Sequence, residues 1–399
     1  MLERAWQGGT VVSRLTLRIL DSVAALRDAA PLWNDLWQRS DSELPTARAE
    51  LLAQWIEHFA PRRRVAALAV ADGPRWVAAL PLVGGRLGQC VAAVKLPGNR
   101  WTPGGDLLLD PVCDQPAILD RLVAGLAELR WPLLWLEGVR VQSHRWQMLS
   151  AALQRAGLRW SVQPWWHVGQ VEIAHDWPAY TASRSRNLRR YIERCQARAV
   201  AAGGVELEIV RPGPSEVAPL LRRGFEVENR GWKGAAGTSV LRHPDVLDFF
   251  VRQAESLARA GELELVFLHH QGRPIAFEYG WTARGAYCSL KVGYDEAYGH
   301  LSPGQLLRCH HLEQMHGDPT RRLVDYLGPI VDATARWSTQ TYTVGRLAIA
   351  TRRPTSRLWW NFFVNWRPRA KKLLWRASPA PMPPHVNPLG LPAEPAATR

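Results

Sequence analysis

The sequence lacks any run of about 18 consecutive apolar residues, so no segment reads as a membrane-spanning helix. Its start, "MLERAWQGGTVV", carries an acidic residue and no apolar stretch of signal-peptide length, and a cytoplasmic protein is expected. Cysteine is scarce: Cys90, Cys113, Cys195, Cys288 and Cys309 form no Cys-x-x-Cys pair. An odd count excludes a complete disulfide framework, and these residues are expected to be buried thiols in a reducing compartment. His269, His270, His310, His311 and His316 cluster without the His-Glu-x-x-His spacing, so no metal is expected. No repeat of solenoid period occurs, and no Gly-x-Ser-x-Gly elbow suggests a covalent acyl-enzyme. Acidic residues are missing from 352 to 376, where Arg352, Arg353, Arg357, Arg367, Arg369, Lys371, Lys372 and Arg376 lie.

That segment supplies more than half of the net charge of +14. The rest is only mildly basic and shows no nucleic-acid motif, so no nucleic-acid partner is expected. With 399 residues, 47% of them hydrophobic and 22% charged, the chain can bury a sizeable core and fill two domains.

Residues 15–20 read as a strand. Apolar spacing predicts helices over 21–39 and 46–60, the second with Thr46 as N-cap. Short β-like runs follow at 64–71, 75–83, 89–96 and 105–110, then a helix over 116–129, a strand over 132–139 and a helix over 143–157 ending on Gly157. The second half repeats the style. A helical stretch over 178–202 ends at "AAGG", and a strand over 205–211 and helices over 215–230 and 244–260 follow. Strands at 263–270, 274–282 and 286–294 are joined by Gln271-Gly272 and Arg284-Gly285. A helix opened by Ser302 runs to about His316, and 322–327 and 341–350 close the set. Antiparallel hairpins followed by a helix and a further strand predict an α/β chain with α+β layering. The expected domains are 1–172 and 173–351. A basic aromatic segment and a Pro-rich tail, 352–399, follow; the tail, from 377, cannot bury enough surface to order itself.

The junction "YGHLSPGQLL" (298–307) has two readings. Ser302 and Gln305 suit a capping box, with Pro303 at the first helical position. Gly304 is left over, since glycine in a first turn costs about 1 kcal/mol against alanine. It allows close approach to open N–H groups at the positive helix end, which suits a phosphate-bearing cofactor held by Ser302, Gly304 and Gln305.

The stretches "SRSRNLRRYIERCQARAVAAGGVELEIV", "FEVENRGWKGAAGTSV", "GRPIAFEYGW", "LKVGYDEAYGHLSPGQLL" and "VDYLGP" occur in this order between 183 and 329. Together they resemble the GNAT-type acyltransferases grouped with CelD of cellulose biosynthesis, relatives of the FemAB aminoacyltransferases. The resemblance implies two GNAT-like domains side by side, with mixed, largely antiparallel sheets flanked by helices. It implies transfer of an acyl group from acetyl-CoA or another acyl-CoA to an amine, on a small molecule or a glycan or envelope precursor. The usual Gly-rich pyrophosphate loop of that superfamily is missing here.

Acyl transfer to an amine needs a positioned thioester, a deprotonated amine and a stabilised oxyanion. Glu278 shares a strand face with Ala276 and Gly280; burial would raise its pKa and make it a base, whereas a solvated face would make it ordinary. Lys291 on the next strand can pair with Glu278, bind a substrate carboxylate or phosphate, or sit at the surface. Asp325 is a turn former or, by the resemblance, a second base near the acceptor cleft. Glu228, Trp232 and Lys233 either bind the acceptor or pack at a helix end. Arg186, Arg190, Arg194 and Arg198 form an i,i+4 stripe, either a solvated face or one wall of a groove for an anionic sugar-nucleotide or lipid-phosphate substrate. Trp359, Trp360, Phe362, Phe363, Trp366 and Trp375, set among Lys and Arg, read as a peripheral contact with anionic membrane through 352–377, or as a helix packed on the protein. Two other functions stay open. Fem-like aminoacyl transfer is one, disfavoured by the lack of a long helical-hairpin insertion. A non-catalytic domain pair binding anionic glycan or lipid is the other.

Overall fold

The computed structural model describes residues 15–367 apart from Gln89 and Asp114; the N-terminal stretch and the Pro-rich tail considered above lie outside them. The first half runs β1 (Leu15–Leu20), α1 (Val23–Asp28), α2 (Ala30–Arg39), α3 (Ala49–Phe59), β2 (Ala67–Asp72), β3 (Arg75–Leu80), β4 (Val83–Leu87), β5 (Val91–Lys95), β6 (Leu108–Leu109), α4 (Gln115–Ala127), β7 (Leu133–Arg140), α5 (His144–Arg155) and β8 (Trp160–Glu172). The second runs α6 (Trp177–Ser183), α7 (Arg186–Ala201), β9 (Glu206–Val210), α8 (Val217–Asn229), α9 (Trp232–Ala235), α10 (Pro244–Arg259), β10 (Leu263–His270), β11 (Arg273–Ala283), β12 (Ala286–Tyr294), α11 (Pro303–Gly317), β13 (Leu323–Asp325), α12 (Asp332–Ala335), β14 (Gln340–Ala350) and α13 (Ser356–Trp360).

The strands make two sheets. The small one is antiparallel, in the order β1-β2-β3-β6; the large one is mixed, β4-β5-β7-β14-β8-β13-β12-β11-β10-β9. Only β5/β7 and β12/β13 are parallel pairs, and a helix lies between the two strands of each in sequence. The halves then exchange strands. β8, closing the first half, pairs with β13, while β14, closing the second, pairs with β7, and β8 and β14 pair with each other. The ladder is therefore continuous past residue 172. One apolar core also joins the halves: Leu52, Trp55 and Ile56 of α3 share it with Phe249 and Phe250 of α10.

Several expectations are corrected. Residues 75–83 are not one strand, because Pro81 interrupts the run: β3 ends in the small sheet and β4 starts in the large one. The helix expected over 21–39 breaks at Ala29, and that over 178–202 at Arg184-Ser185, where the Ser185 side chain accepts from the Leu188 N–H. Thr46 caps nothing; its hydroxyl donates to the Gly104 carbonyl, and α3 begins only at Ala49. Of the cysteines, Cys90 is exposed and Cys113 half-buried. β8 was not foreseen: of its 13 residues six are half-buried, three exposed and four consecutive ones buried, which gives no clean alternation.

Candidate active site

β12 and β13 run side by side only over Ala286–Cys288 and Leu323–Asp325, and then part. Beyond that point the register of β12 against β11 slips, with Gly280 facing Ser289 and Tyr279 facing Lys291, so Leu290 is an extra residue. Such a bulge leaves the backbone groups of the extra residue off the ladder. The parted strands open a cavity of about 240 Å³, walled by Ser289, Leu290, Val292 and Tyr326 and closed by Trp232 and Lys233 on one side and Arg308 on the other.

Tyr326, just past β13, is buried, yet its hydroxyl finds no hydrogen-bond partner among the described residues. Burial pushes the Tyr326 phenol well above its ordinary pKa, so it keeps its proton. The Arg308 guanidinium stands 5.1 Å from its ring centroid and donates to the Ala333 carbonyl at 2.7 Å. Sequence reasoning passed over Tyr326, although the aromatic following the acid of "VDYLG" was the available signal.

"ENRGWKG" does reach the cavity. Glu228 is buried, with Oε1 accepting from Lys233 Nζ at 2.9 Å and Oε2 from the Val240 N–H at 3.0 Å. Lys233 Nζ also donates to the Val292 carbonyl at 2.7 Å, tying this helix end to β12. The approach is close enough that a Cβ on Gly293 would fall 2.5 Å from Glu228 Cα. Glu228 and Lys233 are therefore committed to each other and to the wall, while Trp232 and the rest of the Lys233 ammonium face the space.

Glu278 does not line the cavity. It is buried opposite Val292 and Val266, behind Tyr326, whose pKa its charge helps to raise. Gly280, two residues on, leaves room for Tyr287: a Cβ there would come within 2.5 Å of the Tyr287 phenol. That hydroxyl leans toward Glu278 without reaching hydrogen-bond geometry. Lys291 does not pair with Glu278, because it stands opposite Tyr279 on the other face of the sheet. Its ammonium lies 5.0 Å from the Trp101 ring centroid and 5.5 Å from that of Phe250, and burial pulls its pKa down to about 8.

Asp325 has a different role from the expected base. It is fully buried and saturated, accepting from Arg140 at 2.6 Å, Gln170 at 2.9 Å, Tyr342 at 3.2 Å and the Leu327 N–H at 2.8 Å. Three of these partners come from β7, β8 and β14, so the carboxylate clamps the seam between the halves.

The capping box at the start of α11 is not formed. Ser302 is left-handed (φ 59°, ψ 52°), whereas a capping serine needs an extended backbone to turn its hydroxyl onto its own helix. Its Oγ instead accepts from the Tyr191 hydroxyl at 3.0 Å and from Arg198 at 3.4 Å. Gln305 turns away as well, accepting from Trp337 Nε1 at 2.9 Å. The Gln305 and Leu306 amides return to the Ser302 carbonyl, which leaves the Gly304 N–H at the helix end. A Cβ on Gly304 would meet only the Tyr294 ring, at 3.6 Å, so packing does not demand glycine here. Of the arginine stripe, Arg198 reaches this junction; Arg186 and Arg190 are exposed and stay outside the cavity wall. Among the described residues no three His, Cys, Asp or Glu side chains are placed to hold a metal.

Residues 186–337, which contain this cavity, match the model of the acetyltransferase (GNAT) domain family. This match spans 152 of the 399 residues, and the whole chain has the mixed α/β architecture expected from the sequence. FemX shares the fold at 9% identity, over 82% of this chain and 97% of FemX, with a TM-score of 0.54. So does the C-terminal DUF2156 domain of an Agrobacterium fabrum protein named as a lysylphosphatidylglycerol synthetase, at 13% identity, 83% and 93% coverage and a TM-score of 0.50. A conserved protein of unknown function from Bacteroides thetaiotaomicron VPI-5482 matches at 14% identity, 84% and 100% coverage and a TM-score of 0.50. No curated protein matches the sequence significantly. Residues 186–337 thus match a GNAT domain model, and the chain shares its overall fold with FemX.

Proposed function

We propose that this protein transfers an acyl group from acyl-CoA to a primary amine in the cavity between β12 and β13. The observation that carries the reading is the orphaned, protonated Tyr326 hydroxyl beside the Leu290 bulge. The α11 end, with the Gly304 amide and Arg198, offers positive charge to the diphosphate. The pantetheine arm then follows β12 into the gap. Backbone N–H at the bulge polarises the thioester carbonyl, and the amine enters past Trp232. Its nitrogen bonds to the carbonyl carbon, the C–S bond breaks, the thiolate takes the Tyr326 proton, and the nitrogen releases its own to water, from which Tyr326 is restored. Glu278 is a positioning residue behind Tyr326. The acceptor class that the sequence resemblance implies is an amine on a small molecule or on a glycan or envelope precursor.

Calorimetry with acetyl-CoA and longer acyl-CoAs tests the donor. Wild type should bind saturably, and Gly304→Val, which the fold tolerates, should bind at least about ten-fold more weakly. With an amine panel, Tyr326→Phe should keep its affinity and lose about 10²-fold in thiol release. Silence toward every acyl-CoA would overturn the reading and leave the Fem-like aminoacyl donor as its replacement.

A further inference from the structure

The chain beyond β14 has two unlike sides. α13 continues through a π-helical turn at Asn361–Trp366. Ser356, Trp360 and Phe363 face inward and are buried against Leu87, Val91, Leu133, Trp135 and Ala350. Phe363 meets Trp135 edge-on at 6.1 Å and rests on Gly88 of the β4–β5 hairpin. This side is complete.

The outward side is not. Leu358, Phe362 and Trp366, four residues apart, are 55%, 41% and 54% exposed. They are three of the eight large apolar side chains that stand exposed among the described residues, and the other five are scattered from Ile19 to Val331. Scattered exposure needs no explanation, but a stripe does. Within the segment every charge is positive: Arg352, Arg353, Arg357 and Arg367 are exposed, no Asp or Glu occurs from 352 to 376, and Glu128 meets only the Arg352 end, at 3.6 Å. On the same edge of the large sheet Arg63, Arg86 and Lys95 line a concave surface.

We propose that this face docks on an anionic lipid bilayer, with Leu358, Phe362 and Trp366 entering the interface and the arginines meeting the headgroups. Leucine and aromatics on one side of a helix flanked by arginine are the composition of an interfacial helix, with tryptophan favoured at headgroup depth. A second copy of the chain is a poor occupant, since a two-fold contact would set two predominantly positive faces against each other. No helix among the described residues is long and apolar enough to cross a membrane, so the segment lies on it. The inference is independent of the acyl donor.

The test is co-sedimentation of the full chain with phosphatidylcholine vesicles, with and without about 30% phosphatidylglycerol. Binding should appear on the anionic vesicles, be at least about ten-fold weaker on the neutral ones, and fall in about 0.5 M salt. Leu358→Ser/Phe362→Ser/Trp366→Ser should lose at least about ten-fold in binding with its thermal unfolding unchanged, because these side chains are already in water. Arg357→Glu/Arg367→Glu should weaken binding on anionic vesicles only, and it serves if the triple variant fails to fold. Equal partition onto both vesicle types, no binding at all, or full binding by both variants would overturn the proposal. So would a wild-type dimer in sedimentation velocity that the triple variant loses, which would assign the face to a second copy.

Discussion

Both halves of the molecule build the same crossing, in which a strand leads through a helix to a parallel strand, and they finish it differently. At β5/β7 the paired residues are Ala93, Val94, Leu133 and Leu134, and apolar side chains cover them on both faces, including Trp360 and Phe363 from the end of the described chain. At β12/β13 the pairing is similarly short, three residue pairs against two, but β12 bulges against β11 and the gap beyond is walled by Ser289, Tyr326 and Arg308. Topology alone therefore does not make the site. Nor does a register slip alone, since β7 also slips, at Gly138 against β14; what the second half adds is a gap between the parted strands with polar side chains in its wall. The seams differ as well. Asp325 beside the open gap is fully enclosed with four donors, while Glu137 of β7 is half-exposed and held mainly by Arg346 at 2.7 Å.

The sharpest way to break the comparison is to remove the enclosed carboxylate. Asp325→Ala strands the Arg140 guanidinium, otherwise shared only with Glu43, and leaves Gln170 and Tyr342 short of an acceptor. Removing one member of a buried, hydrogen-bonded ion pair costs about 3–5 kcal/mol, so denaturant unfolding should show a loss of that size. A loss under about 1 kcal/mol would mean that the seam does not depend on this clamp.

Lys291 tests where the halves touch, since the ring beside its ammonium is Trp101 of the first half. Its pKa of about 8 lies below the unfolded value of about 10.4. Between these pH values the unfolded chain holds the proton and the folded chain does not, so stability rises with pH across the window and is lowest below pH 8. Lys291→Met should remove that penalty, gaining up to about 3 kcal/mol at pH 7 and little above pH 10. An unchanged pH profile of the unfolding free energy between 8 and 10 would show the ammonium to be well solvated.

What the sequence made legible follows from how local the cause is. The hairpins β10–β11 and β11–β12 could be read because Gln271-Gly272 and Arg284-Gly285 carry the turn themselves, all four with positive φ. The "ENRGWKG" residues were found, since an acid, an aromatic and a lysine packed into seven positions stand out locally. β8 was not, for its partners β13 and β14 lie more than 150 residues on, and its burial shows no clean alternation. Glu278 attracted attention as a carboxylate among small residues, but the smallness of Gly280 serves Tyr287, a residue on another strand. The capping box failed for a similar reason: Tyr191 and Arg198, a hundred residues earlier, claim the Ser302 hydroxyl. Tyr326 looked like the end of an apolar strand, and its place in the cavity wall depends on the parting of β12 and β13, which lie far apart in sequence.

The smallest effect should come at the other seam. Glu137 accepts from Arg346 and from the Trp135 indole, but its side chain keeps 38% of its surface in water, and the Arg346 guanidinium stacks near Trp135 and Trp165, 4.2 and 4.4 Å from their ring centroids. Water can replace the lost partner, and the rings still hold the cation. Glu137→Ala should therefore cost no more than about 1 kcal/mol in the same denaturant assay. The contrast with Asp325→Ala is the informative quantity, because the two carboxylates stand on the two strands that follow the two crossings. Equal costs at both positions would show that enclosure does not distinguish the seams, and that the second half's gap opens against a clamp no stronger than the first half's.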